Sequence, residues 1–544
     1  MIDGTTRRQL LKTMSTATFL ALGGGVLSAC SRSGGASGAD VVLTVAGGVA
    51  GFDAMPTAKE QKANPSTKAY ADALSAWLKD NPGVRTKQVS LNVWDQQALS
   101  TAITGGTAPA AFPADVVSAW NQAQLAAASK QGLFADVTDQ LKAHKVEENL
   151  TDYAKPIFMR KKVGDRFFVA PRVYNVGTGI HYRLDLIRQA GLKEPTPDWT
   201  WDDVRELARG LTTESRKGMV LQGSGVNGPM NADGMDFHAH VPAPETGWNW
   251  RWDYLGQADR WIPLIQGARD MIFKDQSILS DVSMTDTDAR AAFVRGDVAM
   301  QHNTVVYYDV PPGTEDAPTD LAKKLGKPIW DVVGWTTEPV GRNGRGSATQ
   351  GQVDTVGFSP DLAGEALDKS VSLLAYMQTE GWVRQRTAVY EATKDPQRVF
   401  VQEDITPVYK GLLEKLPSSP DEAWGEPFMD QVRRAAQIPL VPSDVWFFPA
   451  EANQGPTTTV RDDMTSRWAN ERGDIDLRAD LTNLGATLNK QAASFTSSTG
   501  DDEFVKNALA FYEANAEYWQ ENAPEYYQNV FRDWYEDTVM PALK

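Results

Sequence analysis

The sequence holds one cysteine, Cys30, so no disulfide can form within the chain and any fold it reaches must be held by buried apolar surface. A length of 544 residues supports more than one such core, and two or more lobes are expected. The first 29 residues stand outside them. Thr6-Arg7-Arg8-Gln9-Leu10-Leu11-Lys12 leads into an apolar stretch from Thr16 to Val26 and then Leu27-Ser28-Ala29-Cys30, the order of charge, apolar segment and small residues that marks an export signal. The apolar stretch falls short of the roughly 20 residues a membrane-spanning helix needs. Residues 1–29 therefore read as a signal peptide, and residues 30–39, with Ser31-Arg32-Ser33-Gly34-Gly35, as a flexible tether.

The tetrapeptide ending at Cys30 resembles a lipobox, which implies that Cys30 is acylated, becomes the first residue of the mature chain and holds it to the cell membrane on the extracytoplasmic side. Arg7-Arg8 resembles a twin-arginine signal; a general secretory signal with two incidental arginines is the alternative. Net charge is −16, and loss of the signal peptide removes three cations and one acid, leaving −18. That balance repels nucleic-acid phosphates and anionic headgroups. Nucleic acid is not an expected partner, and a neutral or cationic ligand fits better.

Periodicity sketches an α/β order. Asp40 to Ala46 reads as a strand; Tyr70, Ala73, Leu74, Trp77 and Leu78 fall at helical spacing before Asn81-Pro82-Gly83 stops the helix. Val89, Leu91 and Val93 alternate as a strand, Asp95 caps a helix whose buried face is Ala98, Leu99, Ala102 and Ile103, and Asp115 to Ala119 is apolar again. This succession predicts a mostly parallel sheet covered by helices. Thr200 with Asp203 three residues on is a capping-box variant. Near the end, Phe511-Tyr512, Tyr518-Trp519, Tyr526-Tyr527 and Trp534-Tyr535 recur every seven to eight residues, which keeps them on one helical side.

Six segments in order resemble extracellular solute-binding proteins of family 1, the maltose-binding-like sugar receptors of ABC importers. They are Asn81-Pro82-Gly83-Val84, Ala102 to Gly106 and Ala114 to Val117; Tyr182 to Leu192; Trp199 to Val204; and, most specifically, Ala291-Ala292-Phe293-Val294-Arg295-Gly296-Asp297-Val298-Ala299-Met300. The chain departs from the family where Arg183 replaces an asparagine and where residues 400–544 exceed the usual tail. The resemblance implies an α/β, two-lobed periplasmic-binding-protein type II-like fold with a hinge and a ligand cleft between the lobes. It places lobe 1 at 40–172 plus about 355–495 and lobe 2 at 173–354, leaving 496–544 as an aromatic helical extension. Gly177, Gly179, Gly344, Gly346 and Gly351 supply freedom at the two crossings.

A pyranose presents apolar C–H faces and a rim of hydroxyls, so its site wants flat aromatics beside paired donors and acceptors. Trp250 stands among Trp248, Trp252 and Trp261. Trp120 and Asn121 follow an expected strand, and ligands in open α/β sheets bind beyond the carboxyl ends of strands. Tyr174 and Asn175 lie in the expected hinge. His302 and Asn303 follow the strand containing Met300, in the loop that the resemblance implies contacts sugar, and Trp446 resembles a late aromatic that family members stack on ligand. For each tryptophan, packing in a core is the competing role.

No GxSxG elbow or Walker loop is present, and Gly341 to Gly346 lacks the spacing of a dinucleotide fingerprint. His238 and His240 lack an HExxH context, and Asp281, Asp286 and Asp288 do not match an EF-hand loop. Neither catalytic residues, metal nor cofactor are expected. The reading is a monomeric, lipid-anchored receptor that hands a carbohydrate to an ABC permease. A secreted glycoside hydrolase, which needs just two carboxylates and a tryptophan-lined cleft, and a receptor for a peptide, polyamine or metal chelate remain alternatives.

Overall fold

In the computed structural model, residues 41–117, 122–159, 161–176, 178–221, 239–247, 249–280, 284, 286–304, 318–337, 339–340, 352–400, 405–437, 456–493, 501–522 and 524–544 are described. Strand β1 (Val41–Val45) runs parallel to β2 (Val84–Gln88). Between them, helix α1 (Pro65–Asp80) buries Leu74 and Trp77 and ends where Gly83 turns the chain at φ +91°. The expected strand at 89–93 lies one step earlier. Only Val84 of β2 is buried, so parallel pairing to β1 defines this strand, and its alternating neighbours form the loop beyond it. Asp95 caps α2 (Gln96–Thr104), its Oδ1 accepting the Ala98 N–H at 2.9 Å.

The expected strand at 115–119 is likewise displaced: β3 is Ala111–Pro113, followed by a short helical turn at Ala114–Val117. β3 pairs antiparallel to β12 (Gln352–Phe358), which pairs antiparallel to β4 (Val169–Asn175). The second sheet has the order β11 (Val333–Thr337), β5 (Thr178–Arg183), β10 (Val298–Thr304), β6 (Lys217–Leu221), β9 (Ile278–Ser280). There β6 runs parallel to both β9 and β10, whereas β5 is antiparallel to β10 and β11. The sheets are thus mixed and not mostly parallel, because β5 and β12, entered from the two crossings, run against their neighbours.

Helix α3 (Trp201–Leu211) opens on the expected box: Asp203 N donates to Thr200 Oγ1 at 3.2 Å and Thr200 N to Asp203 Oδ2 at 2.7 Å. Arg183, the departure from the family, is buried and forks onto Asp185, with both bonds at 2.8 Å.

Two hydrophobic cores form. One gathers β1 to β4, α1, β12 and the described residues between 365 and 435, and reaches the other face of the five-stranded sheet through Val220, Val333 and Trp335; the second gathers one face of the five-stranded sheet, α3, α4 (Ala258–Phe273) and the hairpin β7 (His240–Pro242) to β8 (Trp250–Trp252). The C-terminal helices join the second core. Trp468 on α5 (Pro456–Asn470) and Leu481, Leu484 and Leu488 on α6 (Leu477–Ala492) pack with Trp261. The Arg269 guanidinium donates to the carbonyls of Trp468, Glu471 and Gly473, and Asn489 bonds the Trp252 backbone from both sides of its amide. This packing differs from the expectation that residues up to 495 belong with the first lobe: the apolar stripe of α6 faces α4 and β8. Tyr512, Trp519, Tyr526, Tyr527 and Trp534 complete the same core from α7 (Asp501–Asn522) and the helical turns after it.

Candidate functional site

The loops at the carboxyl ends of β1, β2 and β3 converge with β4 and β12, and the side chains they carry form one array. Trp94, six residues past β2, is 52% exposed. Its edge is approached by the loop after β1: a Cβ on Gly48, whose φ is +79°, would lie 2.9 Å from Trp94 Nε1 and 2.7 Å from Val93, so this close approach requires glycine. The Arg172 guanidinium carbon lies 5.9 Å from the Trp94 ring centroid, within reach of the ring's negative face. Arg172 Nη2 donates to Asp354 Oδ2 at 3.1 Å. Both residues are on the paired strands β4 and β12, where the register shifts between Asp354 and Thr355.

Behind this pair sits a second one. Lys161 is 7% exposed; burial pulls its ammonium down to about 8 against the opposing pull of Asp354 and Asp115. Burial raises the Asp115 carboxyl, with its backbone donors, Arg172 and Lys161 acting the other way. Asp115 Oδ1 is buried and has no hydrogen-bond partner among the described residues. Two cations thus face two carboxylates beneath an exposed indole. Asp53, in the loop after β1, is also raised by burial, and its carbonyl accepts from Tyr70 Oη at 2.9 Å. Such an array can hold a ligand by ring stacking and directional hydrogen bonds with little net charge.

Trp94 is not among the residues expected from sequence. The positional rule that picked Trp120 beyond β3 applies equally to Trp94 beyond β2, but placing the strand at 89–93 left the indole inside an element's margin and spent Asp95 on capping alone.

The other candidates separate. Asn175 ends β4 opposite Gln352, where the two crossings meet, and His302 and Asn303 lie on β10 opposite Ile180 and Gly179. Tyr174 is a core residue: 2% exposed, its ring 4.5 Å from that of Tyr153 and its carbonyl accepting from Thr406. Trp250, 3% exposed, packs edge-on against Phe504 at 5.1 Å. Trp252 and Trp261 are buried with it. Trp120, Asn121, Trp446 and Cys30 lie outside the described residues. A separate groove of 450 Å³ is lined by Trp77, His144, Asn149, Tyr376 and Lys410 and shares no residue with the array.

The sequence pattern of the bacterial extracellular solute-binding proteins matches residues 57–363. A comparison with curated protein sequences gives no match. Among solved structures, the GacH receptor of Streptomyces glaucescens GLA.O, determined unliganded and with acarbose, is 15% identical over 84% of this chain and 99% of its own, with a TM-score of 0.54. The ABC substrate-binding protein Lmo0181 from Listeria monocytogenes, in complex with cycloalternan, is 16% identical over 78% and 95%, TM-score 0.54. UgpB from Mycobacterium tuberculosis, in complex with glycerophosphocholine, is 12% identical over 83% and 98%, TM-score 0.55. At these identities the likeness is one of fold, two-lobed and α/β. With its family pattern covering more than half its length, the chain belongs to the bacterial extracellular solute-binding proteins.

Proposed function

We propose that this protein captures a carbohydrate outside the cytoplasmic membrane and delivers it to an ABC importer, without altering it. The observation that carries the reading is the exposed Trp94 ring seated on Arg172 above a charge-balanced pair of cations and carboxylates. An uncharged ligand with a flat apolar face and many hydroxyls suits that surface. Solved relatives of the same fold are described with acarbose and with cycloalternan, which supports a sugar. Asp95, Arg172 and Asp354 would bond hydroxyls around the ring, with Trp120, Asn121, Asn175 and Trp446 completing the cleft and His302 and Asn303 meeting the ligand from the second sheet. The first lobe is then residues 41–175 with much of 352–437, and the second is residues 178–340 with 456–544. Closure about the strands near 176 and 352 would favour the ligand-bound form. Export by the signal at 1–29, with lipid on Cys30, would keep a monomeric receptor beside its permease; two acyl chains are needed because one binds weakly.

The test is a thermal-shift screen of residues 31–544 against mono- and oligosaccharides, peptides, polyamines and glycerophosphodiesters, followed by calorimetry and product analysis on each hit. A ligand bound only by the folded state raises Tm. A saturable one-to-one shift with intact sugar recovered supports the proposal. Cleaved sugar would make the protein a glycoside hydrolase, and a shift with glycerophosphodiester alone would change the ligand class.

A further inference from the structure

Strand register sets one residue from every strand of the five-stranded sheet in a single row. Trp335 on β11 is opposite His181 on β5, His181 opposite Gln301 on β10, Gln301 opposite Val220 on β6, and Val220 opposite Leu279 on β9. Directly paired residues point to the same face. A sheet covered on both faces ordinarily carries apolar side chains along such a row. Here three of the five bring hydrogen-bonding groups, and all three are enclosed: Trp335 and His181 are 0% exposed and Gln301 is 1% exposed. The His181 ring lies 6.4 Å from that of Trp335. The Gln301 amide oxygen, the Gln301 amide nitrogen and Trp335 Nε1 have no hydrogen-bond partner among the described residues.

Three unpartnered polar atoms on one enclosed row are costly, and folded proteins satisfy such groups with an internal water or a bound molecule. The row lies three residues short of the end of β10 at Thr304, about 10 Å along the strand. We propose that the Gln301 amide and the Trp335 indole N–H line a buried site for a hydroxyl group, filled either by an enclosed water or by a hydroxyl of the cleft ligand. A hydroxyl matches the groups present: it accepts from the amide or indole N–H and donates to the amide oxygen. One strand separates the two residues, a backbone spacing of about 9.5 Å. The hydroxyl oxygen needs to come within about 3 Å of each group, and two long side chains extending over His181 can close that span.

The ligand source rests on the solute-binding reading above; the water source does not. Gln301→Met keeps the side chain's length and removes its polar atoms, so the sign of its effect is informative. With an enclosed water, the variant strands the water's bonds: Tm of the unliganded protein falls by about 2 °C and calorimetric Kd stays unchanged. With a ligand hydroxyl, the unliganded variant loses two unpaired groups and its Tm rises, while Kd for the solute weakens roughly fivefold or more. A rise in Tm with unchanged Kd means a dry row and overturns the proposal. If the wild-type protein binds no solute, the solute-binding reading fails and the sign of the Tm change alone decides, a fall supporting the site and a rise overturning it. Should the variant not fold, high-resolution crystals of the wild-type protein decide by density within hydrogen-bond distance of both groups, or by its absence.

Discussion

Trp94 exposes half of a large ring while its other side is held by the Arg172 guanidinium. Leaving such a ring in water is unfavourable unless something covers it. Trp94→Ala is therefore expected to weaken ligand binding by about 1 to 3 kcal/mol while leaving Tm of the unliganded protein nearly unchanged; calorimetry giving the wild-type Kd would remove the ring from the site. Lys161 acts oppositely, through stability. Its ammonium titrates near 8 when folded and near 10.5 when unfolded, so between those values the unfolded chain binds more protons and stability rises with pH. From pH 7 to 9.5 this one group adds about 2 kcal/mol, before the buried tyrosines, whose hydroxyls are raised by burial, reverse the trend above 10. Denaturant titrations should show Lys161→Met lacking that rise, and equal slopes for both proteins would place the charge elsewhere. Single residues with local roles, such as Asp95 and Thr200 as caps, were legible in the sequence because the partner is three residues away. Tyr174 was not: only the packing of Tyr153 and Thr406, distant in sequence, puts its ring inside.

At the level of elements, the five-stranded sheet depends on close approach at Gly179. A Cβ there would overlap the Thr336 carbonyl oxygen and lie 2.7 Å from the Trp335 ring, and β5 carries the register for both β10 and β11. Gly179→Ala should cost about 2 to 3 kcal/mol in chemical denaturation and disturb His302 and Asn303, which β5 positions; a variant of wild-type stability would mean that β11 shifts freely. From sequence Gly179 is expected at the hinge, since composition reports freedom of φ and not what stands beside the Cα. Strand presence was legible from apolar runs, yet strand direction was not. Whether β5 meets β10 parallel or antiparallel is decided by how the chain enters the sheet from β4, a long-range property that no window of alternating residues contains. The displaced edges of β2 and β3 have the same origin, because pairing partners, not alternation, end those strands.

At the scale of the whole molecule, the two-lobed outline is carried by six local segments in order, whereas the destination of the C-terminal region is carried by none. Its aromatic repeat announced a buried helical side without saying which lobe buries it. The structure gives that side to the second core: Tyr512, Trp519, Tyr526, Phe531 and Trp534 are each no more than 4% exposed and pack with one another and with Trp250, three of their ring pairs lying 4.5 to 5.8 Å apart. Removing residues 494–544 would uncover Trp250 and the apolar faces of α4 and β7, a loss far beyond the few kcal/mol by which a lobe is stable. Such a truncation is expected to lose the second lobe's cooperative transition and to bind a hydrophobic dye, while the first core, to which the described residues of this segment contribute none, keeps a melting transition. Solute affinity should fall with it, since His302 and Asn303, the proposed contacts from the second lobe, lie on that lobe's sheet. A truncated protein that melts and binds as the full chain does would instead make the C-terminal helices an appendage, and the second core would have to be complete without them.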